Sequence, residues 1–242
     1  MTPNKEDYLK CIYEIGTEVE KISNKEIASR MQVSPPAVTE MIKRMISEGL
    51  LVKDKTHGYL LTDLGSQLVS DLYRKHRLIE VFLLKNLGYT TEEVHEEAEV
   101  LEHTVSEHFI DRLDHMLGNP KTCPHGGTIP KKGERLVEAY QDRLSETTEP
   151  GLYILQRVYD TYELLKFLDQ IHLQIGDTIA FQRYDDYTGL YHFVIHGQEI
   201  SINQVIAQQL YISRLIALLE FLYCIDIAFS LIINFRLISI HI

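Results

Sequence analysis

His95, Glu99, Glu102 and His103 lie within a stretch, Thr91 to Leu113, that contains neither Pro nor Gly and repeats apolar residues at helical intervals. Residues three and four apart are neighbours on a helix, so these four positions (i, i+4, i+7, i+8) share one stripe. Imidazole nitrogens and carboxylate oxygens presented side by side can hold a divalent cation. The same stripe also reads as a solvated acidic helix face, and by itself it leaves both readings open.

The rest of the chain narrows the choice. Its 242 residues make two domains the natural expectation, and an apolar fraction of 45% allows a proper core. Net charge is −11 but uneven: residues 1–75 carry 11 Lys/Arg and 11 Asp/Glu, and the whole excess falls on 76–242. A nucleic-acid surface therefore belongs in the neutral amino-terminal third. Cys11, Cys123 and Cys224 are too widely spaced for a disulfide framework. The amino terminus shows no signal pattern, so the chain reads as cytosolic.

Residues 5–16 read as a helix capped by Asn4 and ended by Gly16. Ser23 followed by Glu26 is a capping box that opens a second helix. Ser34, Pro35 and Pro36 start a third, from Ala37 to Ser47, since Pro is tolerated where the N–H would be orphaned anyway. Helix, short turn and helix is the geometry that sends the later helix into a major groove. Its groove-facing candidates are Ser34, Pro36, Ala37, Thr39 and Glu40, with Lys43 and Arg44 reaching for phosphates. Leu50–Lys55 and Tyr59–Thr62, joined by Thr56-His57-Gly58, form a hairpin with Lys53, Lys55 and His57 at its tip. That hairpin makes the unit a winged helix.

A long helix follows from Asp63 to about Asn86, and Thr91-Glu92-Glu93 caps the helix bearing the stripe. Leu78, Val81 and Phe82 on the first, with Val105, Phe109 and Ile110 on the second, form an apolar face for a symmetry mate or for the chain's own core. Three prolines make residues 118–133 a loop. Beyond Leu152 come short apolar strands with one helix near Thr161–Gln170, a small β-barrel of the SH3 kind. The tail, Leu215 to Ile242, is rich in Ile, Leu, Phe and Tyr. It reads as a weakly structured or non-native extension, as a packing helix, or as a membrane anchor, the last opposed by Asp226 at mid-span.

Six segments then recur in a telling order: Glu6-Asp7-Tyr8, Val33-Ser34-Pro35-Pro36-Ala37-Val38-Thr39, Gly58-Tyr59-Leu60-Leu61-Thr62, Tyr73-Arg74-Lys75-His76-Arg77-Leu78-Ile79-Glu80, Glu97-Ala98-Glu99-Val100-Leu101-Glu102-His103 and Cys123-Pro124-His125-Gly126. Each is weak alone. In this order, over roughly residues 1–212, the chain resembles the diphtheria-toxin-repressor family of metal-dependent transcriptional regulators, in its manganese-responsive streptococcal branch. The fold expected is mainly α: a winged helix-turn-helix DNA-binding domain over 1–73 and a helical metal-binding and dimerisation domain over 74–140. A linker over 141–148, a small SH3-like (FeoA-like) β-barrel over 149–214 and the apolar tail complete it.

The resemblance implies a main metal site from Asp7, Glu99, Glu102 and His103, joining the first helix to the dimerisation helices. It implies a second from Glu80, Cys123, His125 and Asp160, with His76 and His95 at positions that are ligands in some relatives. Iron-sensing relatives place sulfur at two positions of the main site, where this chain has Asp7 and Glu99. Carboxylate and imidazole favour manganese, with iron(II) as the rival ion, and Cys123 leaves room for zinc at the second site. One departure stands out: bacillar manganese regulators with a two-ion centre carry a glutamate where this chain has Lys10.

The expectation is a manganese-activated homodimeric repressor of metal-uptake genes, cytoplasmic, binding palindromic double-stranded operators, with no small-molecule substrate and no membrane partner. Without metal, its carboxylates would converge and repel, freeing the winged helices to move. The rivals are a winged-helix regulator of another metal (iron or zinc) or of a small organic ligand, a membrane-tethered repressor resting on the tail, and a metalloenzyme. The last lacks any catalytic signature such as His-Glu-x-x-His. His108, His115, His192 and His196 are left as surface or structural residues.

Overall fold

The first helix, α1 (Pro3–Glu18), starts ahead of Asn4 and runs through Gly16 rather than ending there. A Cβ on Gly16 would meet Ile22 Cδ1 at 3.3 Å, so this glycine serves close packing and not termination. In the computed structural model the described residues are 3–91 and 93–215, with Pro3 and Asn4 described by backbone alone. The tail beyond Leu215 lies outside them. Contacts divide the chain into two units, Met1–Ala139 and Tyr140–Ile242.

In the first unit, Ser23 and Glu26 close the expected capping box at the start of α2 (Asn24–Arg30). Helix α3 (Pro35–Ser47) begins at Pro35 behind Ser34, whose side chain makes no cap hydrogen bond. Tyr8, Leu9, Ile12 and Ile15 of α1 pack with Ile27, Val38, Ile42 and Met45 in one buried core. Strands β1 (Leu51–Asp54) and β2 (Gly58–Leu61) pair antiparallel as the wing. The turn between them closes on Asp54, whose Oδ1 accepts from the backbone N–H of Thr56 and of His57 at 2.8 and 2.7 Å.

Helix α4 (Asp63–Phe82), capped by the Thr62 hydroxyl, runs into a π-helical turn, Leu83–Leu87. Thr90 and Glu93 then exchange side-chain-to-backbone hydrogen bonds of 2.9 and 3.3 Å. The cap of α5 (Glu93–Glu102) is thus one residue ahead of the expected Thr91. The stretch from Thr91 to Leu113 is not one helix. It breaks after Glu102, and Ser106 caps a separate α6 (Glu107–Met116) by accepting from the Phe109 N–H. No Pro or Gly marks the break. Two hydroxyls make it, Ser106 at the new cap and Thr104, which donates to the Leu101 carbonyl at 3.0 Å.

Of the apolar face left open between a symmetry mate and the chain's own core, Leu78, Val81 and Ile110 are buried in this unit's own core with Ile79, Val94 and Ala98. Phe109 and Met116 of α6 stay exposed.

The second unit holds β3 (Gly151–Val158), α7 (Tyr162–Gln170), β4 (Thr178–Asp185), β5 (Leu190–Ile195), β6 (Gln198–Asn203), α8 (Gln204–Ala207) and β7 (Leu210–Arg214). Its five strands form an open antiparallel sheet in the order β6-β5-β4-β3-β7, not a closed barrel. The free edge of β7 is instead met by the preceding segment: Ile212 N–H donates to Asp142 O at 2.9 Å, and Arg143 bridges Tyr211. Residues 141–148, expected as linker, therefore carry a 3-10 turn, Leu144–Glu146, with Leu144 fully buried in the sheet's core. Among the described residues no helix is long and apolar enough to cross a membrane.

Gly58 is the tightest point of the wing. Its φ is +80°, and a Cβ there would lie 1.9 Å from the Ile22 carbonyl oxygen. Gly58→Ala is expected to lower unfolding stability by about 1–3 kcal/mol, measured by urea denaturation. An unchanged midpoint would contradict this packing.

Candidate metal centre and nucleic-acid face

Asp7 sits one turn into α1 with its side chain partly exposed, and Glu102 is the last residue of α5. His103 follows directly after α5 and faces α1. Its Nε2 lies 2.9 Å from Asp7 Oδ1 and 3.4 Å from Glu102 Oε1. Asp7, Glu102 and His103 thus each place a donor atom within 4.8 Å of the others. On the far side of the ring, His103 Nδ1 is 2.7 Å from Glu6 Oε2. A carboxylate behind a ligating imidazole fixes its tautomer and orientation. Glu6 is a residue that sequence reasoning passed over, although it stood in the first motif.

Glu99 does not join that group. Its Oε1 lies 3.2 Å from Lys10 Nζ and 3.6 Å from His95 Nε2. Lys10 Nζ is also 3.9 Å from Glu102 Oε1. Burial works against ionised Glu99, but Lys10 and then His95 outweigh it and hold the carboxyl below its ordinary range. At Asp7 burial prevails over the charge of His103, and the carboxyl is held above its ordinary range. An open cleft of about 570 Å³, lined by Asp7, Lys10, Glu14, Arg30, Glu99 and His103 among others, gives access to the group.

The second group forms where α4 meets the loop after α6. Glu80, Cys123 and His125 converge within 4.8 Å, all three buried. The loop is shaped by backbone bonds from Cys123 N–H to Gly127 O at 2.9 Å and from Gly126 N–H to Cys123 O at 3.0 Å. Arg77 anchors it, donating to Thr128 O at 2.5 Å and to Glu138 at 2.6 Å. The guanidinium lies over the Tyr73 ring, and a Cβ at Gly127 would meet it at 2.6 Å, so any side chain there would push Arg77 aside. This anchoring role was not evident from the sequence. Asp160 belongs to the second unit, in the turn between β3 and α7.

His76 and His95 lie between the two groups. His76 Nδ1 is 2.6 Å from Glu102 Oε2, and its Nε2 is 3.2 Å from Glu80 Oε1 and 3.1 Å from His95 Nδ1. The carboxylates converge with imidazoles and one ammonium set among them, and Glu102 and Glu99 still repel Asp7. Asp7, Glu80, Glu99 and Glu102 each face an imidazole or an ammonium.

Two buried atoms remain unserved. Glu80 Oε2 and His125 Nδ1 have no hydrogen-bond partner. His125 Nδ1 faces Glu80 Oε1 at 3.2 Å as an ion pair when the ring is charged. An orphaned buried polar atom costs about 1–3 kcal/mol. Carboxylate, imidazole and thiol with spare donor capacity, facing one point away from water, fit a divalent cation.

The DNA-facing candidates Ser34, Pro36, Ala37, Glu40, Lys43 and Arg44 of the α3 region and Lys53 and Lys55 of the wing are all exposed. Thr39 is half-buried. Its hydroxyl accepts from Asn24 Nδ2 at 2.8 Å and donates to Pro35 O at 3.0 Å, which leaves its methyl group for contact. Arg44 is paired with Glu48 at 3.2 Å, and Glu48 also pairs with Lys5.

A winged helix joined to a helical domain with two convergent donor groups defines a metal-responsive DNA-binding architecture. Comparison with known proteins agrees. Residues 1–59 match the iron dependent repressor N-terminal DNA binding domain, 62–131 its metal binding and dimerisation domain, and 143–214 the FeoA domain. The structure of ScaR with bound Zn2+ is similar at 64% identity and a TM-score of 0.84, over 87% of this chain and 99% of that one. ScaR is also described as a manganese-activated repressor. The manganese regulator SloR is similar at 55% identity and a TM-score of 0.81, over 89% of this chain and 100% of that one. The iron-dependent repressor IdeR of Mycobacterium tuberculosis is 39% identical over 125 residues, 52% of this chain and 54% of IdeR. The chain thus spans about half the length of the curated relatives it matches. It belongs to the iron-dependent repressor family, that of the diphtheria toxin repressor, whose members are transcriptional regulators and not enzymes.

The second group carries a pH signature in the metal-free chain. Burial disfavours the charged His125 ring, yet Cys123 and Glu80 beside it outweigh burial and push it up to about 11. A raised histidine stabilises fully below its unfolded value of about 6.5, and that stability is lost as pH rises through the folded value. The stability gap between chelated wild type and His125→Gln should shrink as pH is raised from about 6 to about 10 in urea denaturation. A constant gap would refute the assignment.

Proposed function

We propose that the chain is a manganese-activated, homodimeric transcriptional repressor that acts in the cytoplasm on palindromic operators of metal-uptake genes. The observation that carries this reading is the meeting of Asp7, on the first helix of the winged unit, with Glu102 and His103 at the end of α5. A divalent cation bound there supplies the positive charge that lets Asp7 and Glu102 share one site. Asp7, Glu102 and His103, with Glu99 beside them, tie α1 to α5. Helices α2 and α3 follow, since Leu9 and Ile12 of α1 share a core with Ile27 and Ile42. Fixing α1 therefore fixes the recognition helix.

In a two-fold dimer, two recognition helices so fixed lie about 34–36 Å apart, or a multiple of it, to meet successive major-groove half-sites. Phe109 and Met116, seven residues apart on α6 and exposed, give an apolar stripe suited to a self-complementary contact. Oxygen and nitrogen donors at the main centre support manganese, with iron(II) as its nearest rival. Cys123 beside Glu80 and His125 supports a softer ion, such as zinc, at the second centre.

Fluorescence anisotropy with operator duplex from a metal-uptake promoter tests this reading. Manganese should tighten wild-type binding by ~5–150-fold, and linkage requires DNA to tighten metal binding equally. Asp7→Ala should bring that gain close to one while keeping the salt-dependent, nonspecific binding of the wing and α3. An unchanged manganese response in Asp7→Ala would overturn the reading.

A further inference from the structure

Lys10 lies one helical turn beyond Asp7 on α1, with its side chain mostly buried, and its ammonium reaches across to α5. There it sits 3.2 Å from Glu99 and 3.9 Å from Glu102, oxygens of the two α5 carboxylates nearest the main centre. Asp7, Glu102 and His103 converge, but Glu99 is paired with Lys10 and His95 and stays outside their group. The ammonium also stands 5.8 Å from the centre of the Tyr73 ring. Tyr73 in turn donates to Glu14 on α1 at 2.8 Å. That aromatic face and carboxylate offer Lys10 a second resting place within reach of its four-carbon stem.

We propose that Lys10 is an internal competitor of the activating metal: its ammonium withholds Glu99 from the donor set, and so sets the metal concentration at which the protein responds. The inference rests on the metal-binding reading above. A cation carried on α1 that pairs with carboxylates on α5 does weakly what a bound divalent ion would do strongly. It neutralises Glu99 and part of Glu102, so α1 and α5 stay in register before metal arrives. Drawing Glu99 into the centre requires Lys10 to release it and swing towards Tyr73 and Glu14. Every divalent ion that recruits Glu99 meets the same opposition. Lys10 therefore adjusts the threshold of response, while the donor atoms choose among ions.

The test is a manganese-binding isotherm on the full chain, with Lys10→Met, Lys10→Arg and Glu99→Ala compared with wild type and thermal unfolding of each metal-free protein recorded. Removing one ion pair, half-exposed on its Glu99 side and buried on its Glu102 side, is expected to tighten manganese binding by about five- to tenfold in Lys10→Met. The same substitution should lower the melting temperature of the metal-free chain. Lys10→Arg keeps the charge and should bind manganese about as wild type does. In the Glu99→Ala background, Lys10→Met should lose most of its effect, because the withheld ligand is gone. Equal or weaker manganese binding by a folded Lys10→Met overturns the competitor role, and so does an undiminished effect without Glu99. If neither wild type nor Lys10→Met binds manganese, the metal-binding reading itself fails, a result distinct from the other two.

Discussion

The first unit depends on pairing carboxyl groups where water cannot reach them. Glu80 and Glu102 are 0% and 1% exposed, and His76, at 1%, lies between them. An isolated buried carboxylate would be prohibitively costly, so these groups persist only because each is paired. One imidazole faces both acids from α4, its two nitrogens 2.6 and 3.2 Å from them. Burial favours the neutral acid at Glu80, but His76, His125 and His95 hold it well below its ordinary range. The helices of this unit are thereby spaced by charge pairs as well as by Leu78, Ile79 and Ala98. Such a polar core is poised for a cation, since adding one positive charge changes which pairs are satisfied.

That arrangement explains how chemistry at the helix ends reaches the DNA-binding elements. The main donor group draws on α1 and on the end of α5, so it spans the winged unit and the helical unit behind it. Lys10 makes the same span by a weaker interaction. The second group lies wholly behind, between α4 and the Cys123–His125 loop. Arg77 ties that loop to Tyr73, whose hydroxyl bonds to Glu14 of α1. Both groups therefore bear on α1.

Much of this was legible in the residues. The capping box of Ser23 and Glu26, the Pro-started recognition helix and the wing turn follow from local chemistry that tertiary packing leaves alone. The helix break after Glu102 was not legible, because it depends on two hydroxyls, Thr104 and Ser106, in a stretch whose composition favours one helix. Lys10 stood out in the sequence only as a departure from a two-ion centre and Glu6 only as part of a motif; their contacts with Glu99 and His103 were hidden, since only folding brings α1 against α5. Leu144 lay in a polar run that reads as linker, and its burial appears only once β7 has an edge to cover. The barrel expected of the second unit became an open sheet for the same reason: edge pairing is long-range and leaves little trace in a strand's own residues.

The central claim is that one ion joins α1 to α5. Anomalous diffraction from crystals of the manganese-loaded chain tests it most directly. The account predicts a manganese peak bonded to Asp7 together with Glu102 and His103, with Glu99 turned in and Lys10 withdrawn towards Tyr73. A manganese peak coordinated only by residues of α4, α5 and the Cys123–His125 loop, with Asp7 still unligated against His103, would contradict it.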